Sequence, residues 1–452
     1  MSMTRCAALV IALATPMMIA LPAAAAELKL EADLGQTVLS AKAPGTVYLR
    51  LNLKSLVGAK REKRTPINAA IVVDRSGSMQ GERIAAAKEG ARVALKRLAP
   101  DDKVALVSYN HEVDVMSPAA PLSNARERLI EAIDGLRAGG TTALYAGVKE
   151  GGRQVEAYLS DNAVNRVILL SDGLANVGPS TPGELAELGR KLASKGITVS
   201  TIGLGLEYNE DLMQRLAAAS DGNHVFVERP SDLAEIFERE FGDALSVTAR
   251  DITIIIECKA GFVPKRILGR DGTIDGDKIT LKLNQLQADN ERYVVVELAA
   301  ANAHAEGAAD VADVRVTYTD LDSGKAAEAR ARPTVRFSDD TKEVEASLNK
   351  PVMSQVTQQI ATESSEKAVN LRDKGDIAGA RRVLEENADY LRRSRETYAS
   401  GAAPAAPASV GALSDLEKQS REAANSLDAG TWDRTRKMMR YDQHKAKVQQ
   451  TY

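Results

Sequence analysis

The stretch "AAIVVDRSGSMQG", residues 69–81, decides the fold of the largest part of the chain. An apolar, partly β-branched run stops abruptly at Asp74, and the hydroxyl residues Ser76 and Ser78 follow at alternate positions. In a doubly wound sheet, the carboxyl end of such a strand opens onto the crevice where ligands bind. A carboxylate and two hydroxyls in one loop are oxygen ligands of the kind that Mg²⁺ prefers. The stretch therefore predicts a buried strand that ends at a cation site.

The residues around this stretch predict an α/β domain over 66–243. Five apolar runs alternate there with helix-length segments, namely "NAAIVVD", "KVALVSY", "NRVILLS", "ITVSTIG" and "HVFV". Strands that are apolar throughout are typical of a mostly parallel sheet with helices on both faces. We therefore predict a doubly wound, Rossmann-like α/β fold, whose ligand site lies beyond the carboxyl ends of the strands.

Two further loops of this domain offer oxygen atoms at the same edge of the predicted sheet. "RAGGTTALYAGV" places Thr141 and Thr142 at the start of a helix, and "RVILLSDG" places Asp172 directly after a strand. Three loops with oxygen-bearing side chains at one edge of the sheet indicate a cation site much more specifically than one such loop does. Because few nitrogen or sulfur side chains occur near these loops, a hard divalent cation fits better than zinc or copper.

The three loops resemble a known family. "DRSGSM", "GGTTALYAG" and "ILLSDG" are similar to the three parts of the metal-ion-dependent adhesion site of von Willebrand factor type A domains, over roughly residues 66–243. Carried over position by position, the resemblance implies five ligands for Mg²⁺ or Mn²⁺, namely Asp74, Ser76, Ser78, Thr142 and Asp172. Thr142 is preferred because its spacing to the following "ALYAGV" matches the family, and Thr141 stays open as the alternative.

The resemblance also implies a mode of function. Hydroxyl ligands are neutral, so the ion keeps incomplete charge compensation and an open position for an Asp or Glu carboxylate of a protein partner. Binding would then depend on the metal and be lost with a chelator. The chain is accordingly expected to be a non-enzymatic binding protein, with no catalytic residue. In this family a change of metal contacts can couple to movement of the last helix, near "SDLAEIFEREFG".

Other segments flank the α/β domain on both sides. Residues 27–65 predict N-terminal β segments, and residues 244–337 predict strands without helices. Because one β region precedes the α/β domain and the other follows it, we predict one β-sandwich in which that domain is inserted. The rest of the chain predicts three pieces, namely a helical hairpin at 338–398, an Ala/Pro linker at 399–411, and a C-terminal helix with a basic tail at 412–452.

The first 26 residues predict a cleaved signal peptide and a periplasmic or secreted protein. Arg5 precedes an apolar stretch, and small residues at its end offer a cleavage site after Ala26. Beyond this segment, no apolar run is long enough to span a bilayer. Cys6 would leave with the signal, so Cys258 would be the single cysteine of the mature chain.

Composition and motifs argue against several other functions. The chain has 59 Lys and Arg against 62 Asp and Glu residues, whereas nucleic-acid binders carry a basic excess. A phosphotransferase of the haloacid dehalogenase type needs a second Asp two residues after the first, where this chain has Ser76. A serine hydrolase needs a G-x-S-x-G elbow and a His partner, and none of the four histidines stands in such a context.

Two alternative functions stay open at this point. In one, the sandwich and the helices form a scaffold for an envelope complex that depends little on the metal. In the other, which is less favoured, the Asp-led loop belongs to a Mg²⁺-dependent phosphotransferase-type enzyme. The basic end, "RTRKMMRYDQHKAKVQQTY", predicts a solvated helix face or mobile tail, or a weak contact with an anionic lipid surface or an acidic partner.

Overall fold

A computed structural model describes residues 28–55, 64–288, 290–300, 306–400 and 406–450. The predicted signal peptide, with its cleavage site after Ala26, lies outside these residues, as does the middle of the predicted linker, 401–405. No helix in the described ranges combines the length and the apolar character that crossing a bilayer requires.

The described chain begins with three strands, namely β1 (Leu28–Leu34), β2 (Val38–Ser40) and β3 (Gly45–Ser55). β1 and β3 form an antiparallel pair. In β3, Val47, Leu49 and Leu51 are buried, whereas Tyr48 and Arg50 between them are partly exposed. This alternation is typical of a strand that covers a core with one face.

The α/β domain comes next. Its sheet consists of β4 (Ile67–Asp74), β5 (Lys103–Tyr109), β6 (Val113–Pro121), β7 (Val164–Ser171), β8 (Ile197–Leu204) and β9 (His224–Val227). Its helices are α1 (Glu82–Arg97), α2 (Leu122–Gly135), α3 (Leu144–Glu156), α4 (Pro182–Ala193), α5 (Glu210–Ala219) and α6 (Leu233–Leu245). The strands lie in the order β6-β5-β4-β7-β8-β9. β6 is antiparallel to β5, and the other neighbours are parallel.

Helices cover both faces of this sheet. Ile71 and Val73 of β4 contribute to a core with α1, α2 and α6, whereas Ala70 and Val72 contribute to a second core with α3, α4 and α5. The predicted doubly wound α/β fold is therefore confirmed. The edge strand β6 was not predicted, because its sequence "VDVMSPAAP" is not apolar throughout and contains prolines, which sheets tolerate at their edges.

Strands without intervening helices follow the α/β domain. They are β10 (Val247–Cys258), β11 (Phe262–Leu268), β12 (Thr273–Asp275), β13 (Lys278–Gln287), β14 (Glu291–Ala300), β15 (Gly307–Asp310), β16 (Ala312–Asp320), β17 (Lys325–Ala331) and β18 (Thr334–Ser338). One sheet has the order β1-β3-β14-β11, and a second has the order β12-β13-β10-β16-β17. A small third sheet pairs β18 with both β15 and β2.

The two larger sheets form a β-sandwich that uses strands from both sides of the α/β domain. β3 pairs antiparallel with β14, and Leu51 of β3 shares a core with Ile254 of β10. The α/β domain is thus inserted between β3 and β10, in agreement with the predicted fold class. Where the chain enters and leaves the inserted domain, the hydroxyl of Thr65 donates a hydrogen bond to the carbonyl oxygen of Val247 at 3.4 Å.

A helical region completes the described chain. Its helices are α7 (Thr341–Ala346), α8 (Lys350–Asp373), α9 (Ile377–Ala399), α10 (Pro407–Asn425) and α11 (Ala429–Val448). Asp376 caps the start of α9, because its carboxylate accepts a hydrogen bond from the Gly379 amide at 2.8 Å. α8 packs on the sandwich through Val352 and Val356. The linker prediction was wrong for residues 407–411, which belong to α10.

The basic end is a docked helix. Lys437 of α11 is buried, and its ammonium group donates to the Glu210 carboxylate at 2.6 Å and to the Tyr208 carbonyl oxygen at 2.9 Å. Most of the other basic side chains of α11 also pair within the chain, namely Arg434 with Glu228, Arg436 with Glu210, Asp211 and Asp373, Arg440 with Asp211, and Lys447 with Glu366. The prediction of a mobile tail was wrong, because this segment is a helix that internal acids hold in place, whereas a weak contact with an anionic surface stays a prediction.

Two substitutions in α11 should separate buried from exposed ion pairs. Lys437→Met removes a donor from a buried carboxylate and a buried carbonyl, so we expect a loss of about 3 kcal/mol in the free energy of unfolding. The control Arg434→Gln breaks an exposed pair and should cost less than about 1 kcal/mol. Urea denaturation followed by circular dichroism measures both. Equal effects of the two substitutions would contradict this account of how α11 is held.

Candidate metal centre

The loop after β4 holds its polar side chains in a compact turn. The Asp74 carboxylate accepts a hydrogen bond from the Ser76 amide at 2.8 Å. A single turn of 3₁₀ helix, Gly77–Met79, follows, and the side chain of Met79 is buried beneath it. As a result, the hydroxyl oxygens of Ser76 and Ser78 lie 3.0 Å apart.

The loop after β7 connects directly to the first loop. The Ser78 hydroxyl donates to one carboxylate oxygen of Asp172 at 2.6 Å. The Ser171 hydroxyl donates to the second carboxylate oxygen of Asp74 at 2.7 Å. Because β4 and β7 are neighbouring parallel strands, their ends bring both carboxylates to one edge of the sheet. Each carboxylate thus accepts a hydrogen bond from a hydroxyl of the other loop, and the two acidic residues lie at one edge, as the sequence predicted.

The backbone of the third predicted loop makes hydrogen bonds with the other two loops. The Gly77 amide donates to the Gly140 carbonyl oxygen at 3.0 Å. The Thr142 amide donates to the side-chain oxygen of Asn176 at 2.8 Å, and the Asn176 amide donates back to the Thr142 carbonyl oxygen at 3.1 Å. Thr142 is buried, whereas Thr141 is exposed.

Gly173 shows how closely the three loops approach one another. A Cβ atom at this position would lie 3.2 Å from the Ser78 hydroxyl oxygen, 3.3 Å from that of Thr142 and 3.6 Å from that of Ser76. Three hydroxyl oxygens therefore surround the space that glycine leaves open. Asp172 bonds to the Ser78 hydroxyl and Asp74 bonds to the Ser76 amide, so the five predicted site residues lie together. The alternative residue Thr141 is exposed instead.

Both carboxylates at this site are buried. Burial raises the pKa of Asp74 to about 6, although hydrogen bonds from Ser76 and Ser171 oppose the shift. Burial also raises the pKa of Asp172, against hydrogen bonds from Ser78 and Arg83. Buried carboxylates are costly unless positive charge compensates them. Two carboxylates and three hydroxyls in a small space fit a hard divalent cation, since such ions prefer oxygen ligands.

Arg83 is a site residue that the sequence reasoning missed. From the first turn of α1, its guanidinium donates to the second carboxylate oxygen of Asp172 at 2.7 Å and to Glu207 at 2.8 Å. Arg75, which lies within the "DRSGSM" motif, instead pairs with Asp114 away from the two carboxylates. The sequence places Arg83 five residues after Ser78, which is the only local sign that it belongs to the site. Its acidic partners Asp172 and Glu207 lie 89 and 124 residues further along the chain.

Comparisons with known proteins agree with the fold of the α/β domain. Residues 68–239 match the family model described as the von Willebrand factor type A domain. The protein YfbK of Escherichia coli (strain K12) is 30% identical over 206 residues, which cover 45% of this chain and 36% of that protein. The protein sll0103 of Synechocystis sp. is 26% identical over 290 residues, which cover 60% of this chain and 67% of that protein.

A solved structure, described as von Willebrand factor type A from Catenulispora acidiphila, is similar in fold to most of this chain. It has a TM-score of 0.68 and 17% identity, and the likeness covers 88% of this chain and 98% of that one. The fold similarity therefore includes the sandwich and much of the helical region as well as the α/β domain. The chain spans only about a third of YfbK, so what the whole of that protein does is not carried over.

Filling the space at Gly173 should weaken cation binding. The backbone of Gly173 lies outside the left-handed region, so Gly173→Ala adds a methyl group among the three hydroxyls without backbone strain. We expect Mg²⁺ affinity to fall at least about tenfold, or about 1.4 kcal/mol, in calorimetric titration of metal-stripped protein. Gly183→Ala is the control, because a Cβ there meets nothing within 4 Å. Unchanged affinity in Gly173→Ala would place the cation elsewhere.

Proposed function

Because residues 68–239 form a von Willebrand factor type A domain, we propose that this chain is a non-enzymatic binding protein that captures a protein partner through Mg²⁺ or Mn²⁺. A domain of this type indicates protein–protein interaction or adhesion. The proposed ligands are Asp74, Ser76, Ser78, Thr142 and Asp172. The observation that carries the proposal is the convergence of three hydroxyl oxygens around the open space at Gly173, beside two buried carboxylates.

The charges around the site support an acidic group on the partner. Asp74 and Asp172 together carry two negative charges, and a divalent cation would balance them. Arg83 adds a further positive charge 2.7 Å from Asp172, and it is shared with the exposed carboxylate of Glu207. Because Glu207 balances Arg83, the charges of the loaded centre sum to zero, but a carboxylate bound directly to the cation would lie closer to it than to Glu207 and would still be attracted. An Asp or Glu carboxylate of a protein partner has a negative charge and an oxygen atom suited to the cation.

Export is part of the proposal and is supported by the sequence alone. The first 26 residues have the positive start, apolar stretch and small residues of a signal peptide. We propose that the chain acts in a periplasm or outside the cell.

Metal titration of the purified protein tests the site. Mg²⁺ and Mn²⁺ are titrated into metal-stripped residues 27–452 by calorimetry, beside Asp74→Ala and Asp172→Ala. We expect binding at one site in the wild type and loss or strong weakening in both variants, because each removes one of the two carboxylates. Circular dichroism shows whether the variants are folded. Equal affinity in all three folded proteins would contradict the proposed centre.

Partner capture then separates this function from the two alternatives. A metal-dependent binding protein loses its partner with EDTA and with Asp74→Ala while it stays folded. A scaffold keeps its partners under both conditions and loses them when the chain is truncated after Phe337. A phosphotransferase-type enzyme turns over a generic phosphate ester and loses that turnover with Asp74→Ala.

The two adjacent threonines provide a matched pair of variants. Thr142→Val keeps the shape of a buried side chain but removes the hydroxyl that faces Gly173, so Mg²⁺ affinity should fall about tenfold. Thr141→Val alters an exposed side chain and should leave the affinity unchanged. Calorimetry measures both. The opposite ranking would make Thr141 the ligand.

A further inference from the structure

We propose that the acidic residue of the partner is flanked by apolar residues, which pack on two exposed leucines beside the metal centre. These leucines, Leu174 and Leu206, are called the apolar rim below. The inference rests on the proposed function and adds the kind of segment that the site recognises. The two leucine side chains carry no oxygen atom, so they would contact the partner and not the cation.

Leu174 lies next to the centre on the loop after β7. It directly follows Gly173, whose open space adjoins the three hydroxyl oxygens. The reciprocal hydrogen bonds between Asn176 and Thr142 hold this loop in place. Leu174 is nevertheless 58% exposed, more than any other large hydrophobic side chain in the described residues. A loop held by two hydrogen bonds thus presents an apolar side chain to solvent beside the centre.

Leu206 lies on the loop after β8, between Gly205 and Glu207, and both of these residues lie beside Arg83. A Cβ at Gly205 would lie 3.2 Å from the Arg83 guanidinium, and the Glu207 carboxylate pairs with the same group at 2.8 Å. Arg83 in turn pairs with Asp172 of the centre. Leu206 is 42% exposed. Leu206 is therefore the sequence neighbour of Glu207, which Arg83 links to Asp172 of the centre.

The placement of the two leucines distinguishes them from other exposed hydrophobic residues. Single apolar side chains scattered over a surface are normal and need no explanation. Ile130 on α2, Val263 on β11 and Ile377 on α9 lie singly on regular elements. Tyr158 and Leu159 lie between α3 and β7, before the amino end of that strand and thus at the other edge of the sheet. Leu174 and Leu206 instead lie on two loops at the same carboxyl edge of the sheet, where the metal centre also lies.

The charge of Glu207 narrows the kind of partner further. Its side chain is 66% exposed beside Leu206 and carries a negative charge. Arg83, the basic side chain beside Leu206, is already paired with Glu207 and Asp172, so further acidic residues of a partner would gain no ion pair from it and would meet the like charge of Glu207. One acidic residue with apolar neighbours avoids that repulsion and covers the leucines. The surface therefore favours a short apolar–acidic segment over a polyacidic one.

Selection from a random peptide library tests this inference. The full chain, loaded with Mg²⁺, is exposed to phage that display random 12-residue peptides, and bound phage are eluted with EDTA and sequenced. We expect enrichment of one Asp or Glu with Leu, Ile, Val, Met or Phe within two positions. Replacing that acidic residue by its amide in a synthetic peptide should abolish binding.

Variants of the apolar rim provide the control. In Leu174→Ser/Leu206→Ser, Mg²⁺ titration should be unchanged and the acidic preference should persist, whereas the apolar preference should fall to the library background. The selected peptides should bind this variant about tenfold more weakly. Ile130→Ser, which changes a residue on α2 that is 40% exposed, close to the 42% of Leu206, should behave as the wild type.

The possible outcomes separate this inference from the function on which it rests. Peptides enriched in acidic residues without apolar neighbours, or in acidic runs, would overturn the apolar rim and leave metal-dependent capture standing. An EDTA-eluted pool without acidic enrichment, from protein that binds Mg²⁺, would overturn the proposed capture of a carboxylate and the apolar rim with it.

Discussion

The burial of the Asp74 carboxylate is the constraint on which the rest of the site depends. The carboxylate stands at the end of the central strand β4, fully removed from solvent, and its hydrogen-bond donors are the neutral amide of Ser76 and hydroxyl of Ser171. A strand covered on both faces cannot turn this side chain toward water. The loop must therefore fold back over the carboxylate, and that fold places the serine hydroxyls side by side.

The same constraint explains why the other two loops are built as they are. Gly173 leaves room where any larger residue would contact the hydroxyls, and Thr142 is held by Asn176 so that its side chain closes the space. Arg83 supplies a positive charge to the carboxylate oxygen of Asp172 that does not bond to Ser78. Three loops and helix α1 thus form the site, and a hydrogen bond or an ion pair joins each of them to another.

Much of this arrangement could be predicted from the sequence because its signals are local. An apolar run that ends at Asp74 is a strand that ends at a sheet edge, and the "DRSGSM" and "SDG" loops carry their ligands within a few residues. The pairing of Arg83 with Asp172 was not predictable, since a guanidinium on a helix has many acids within reach in principle. The role of α11 was misread for a related reason. A run that contains Lys437 and Arg436 looks like a solvated surface until the acids of α5 are placed against it.

The insertion of the α/β domain into the sandwich has a consequence for how the chain folds. β3 must find β14 across more than 230 residues, and closing so long a loop is slow when the intervening chain is unfolded. Once the α/β domain has formed, its two ends meet where Thr65 bonds to Val247. The effective loop between the two halves of the sandwich is then only a few tens of residues. Folding of the α/β domain therefore brings β3 and β14 close together. We expect a mutation that slows folding of the α/β domain to slow closure of the β-sandwich as well.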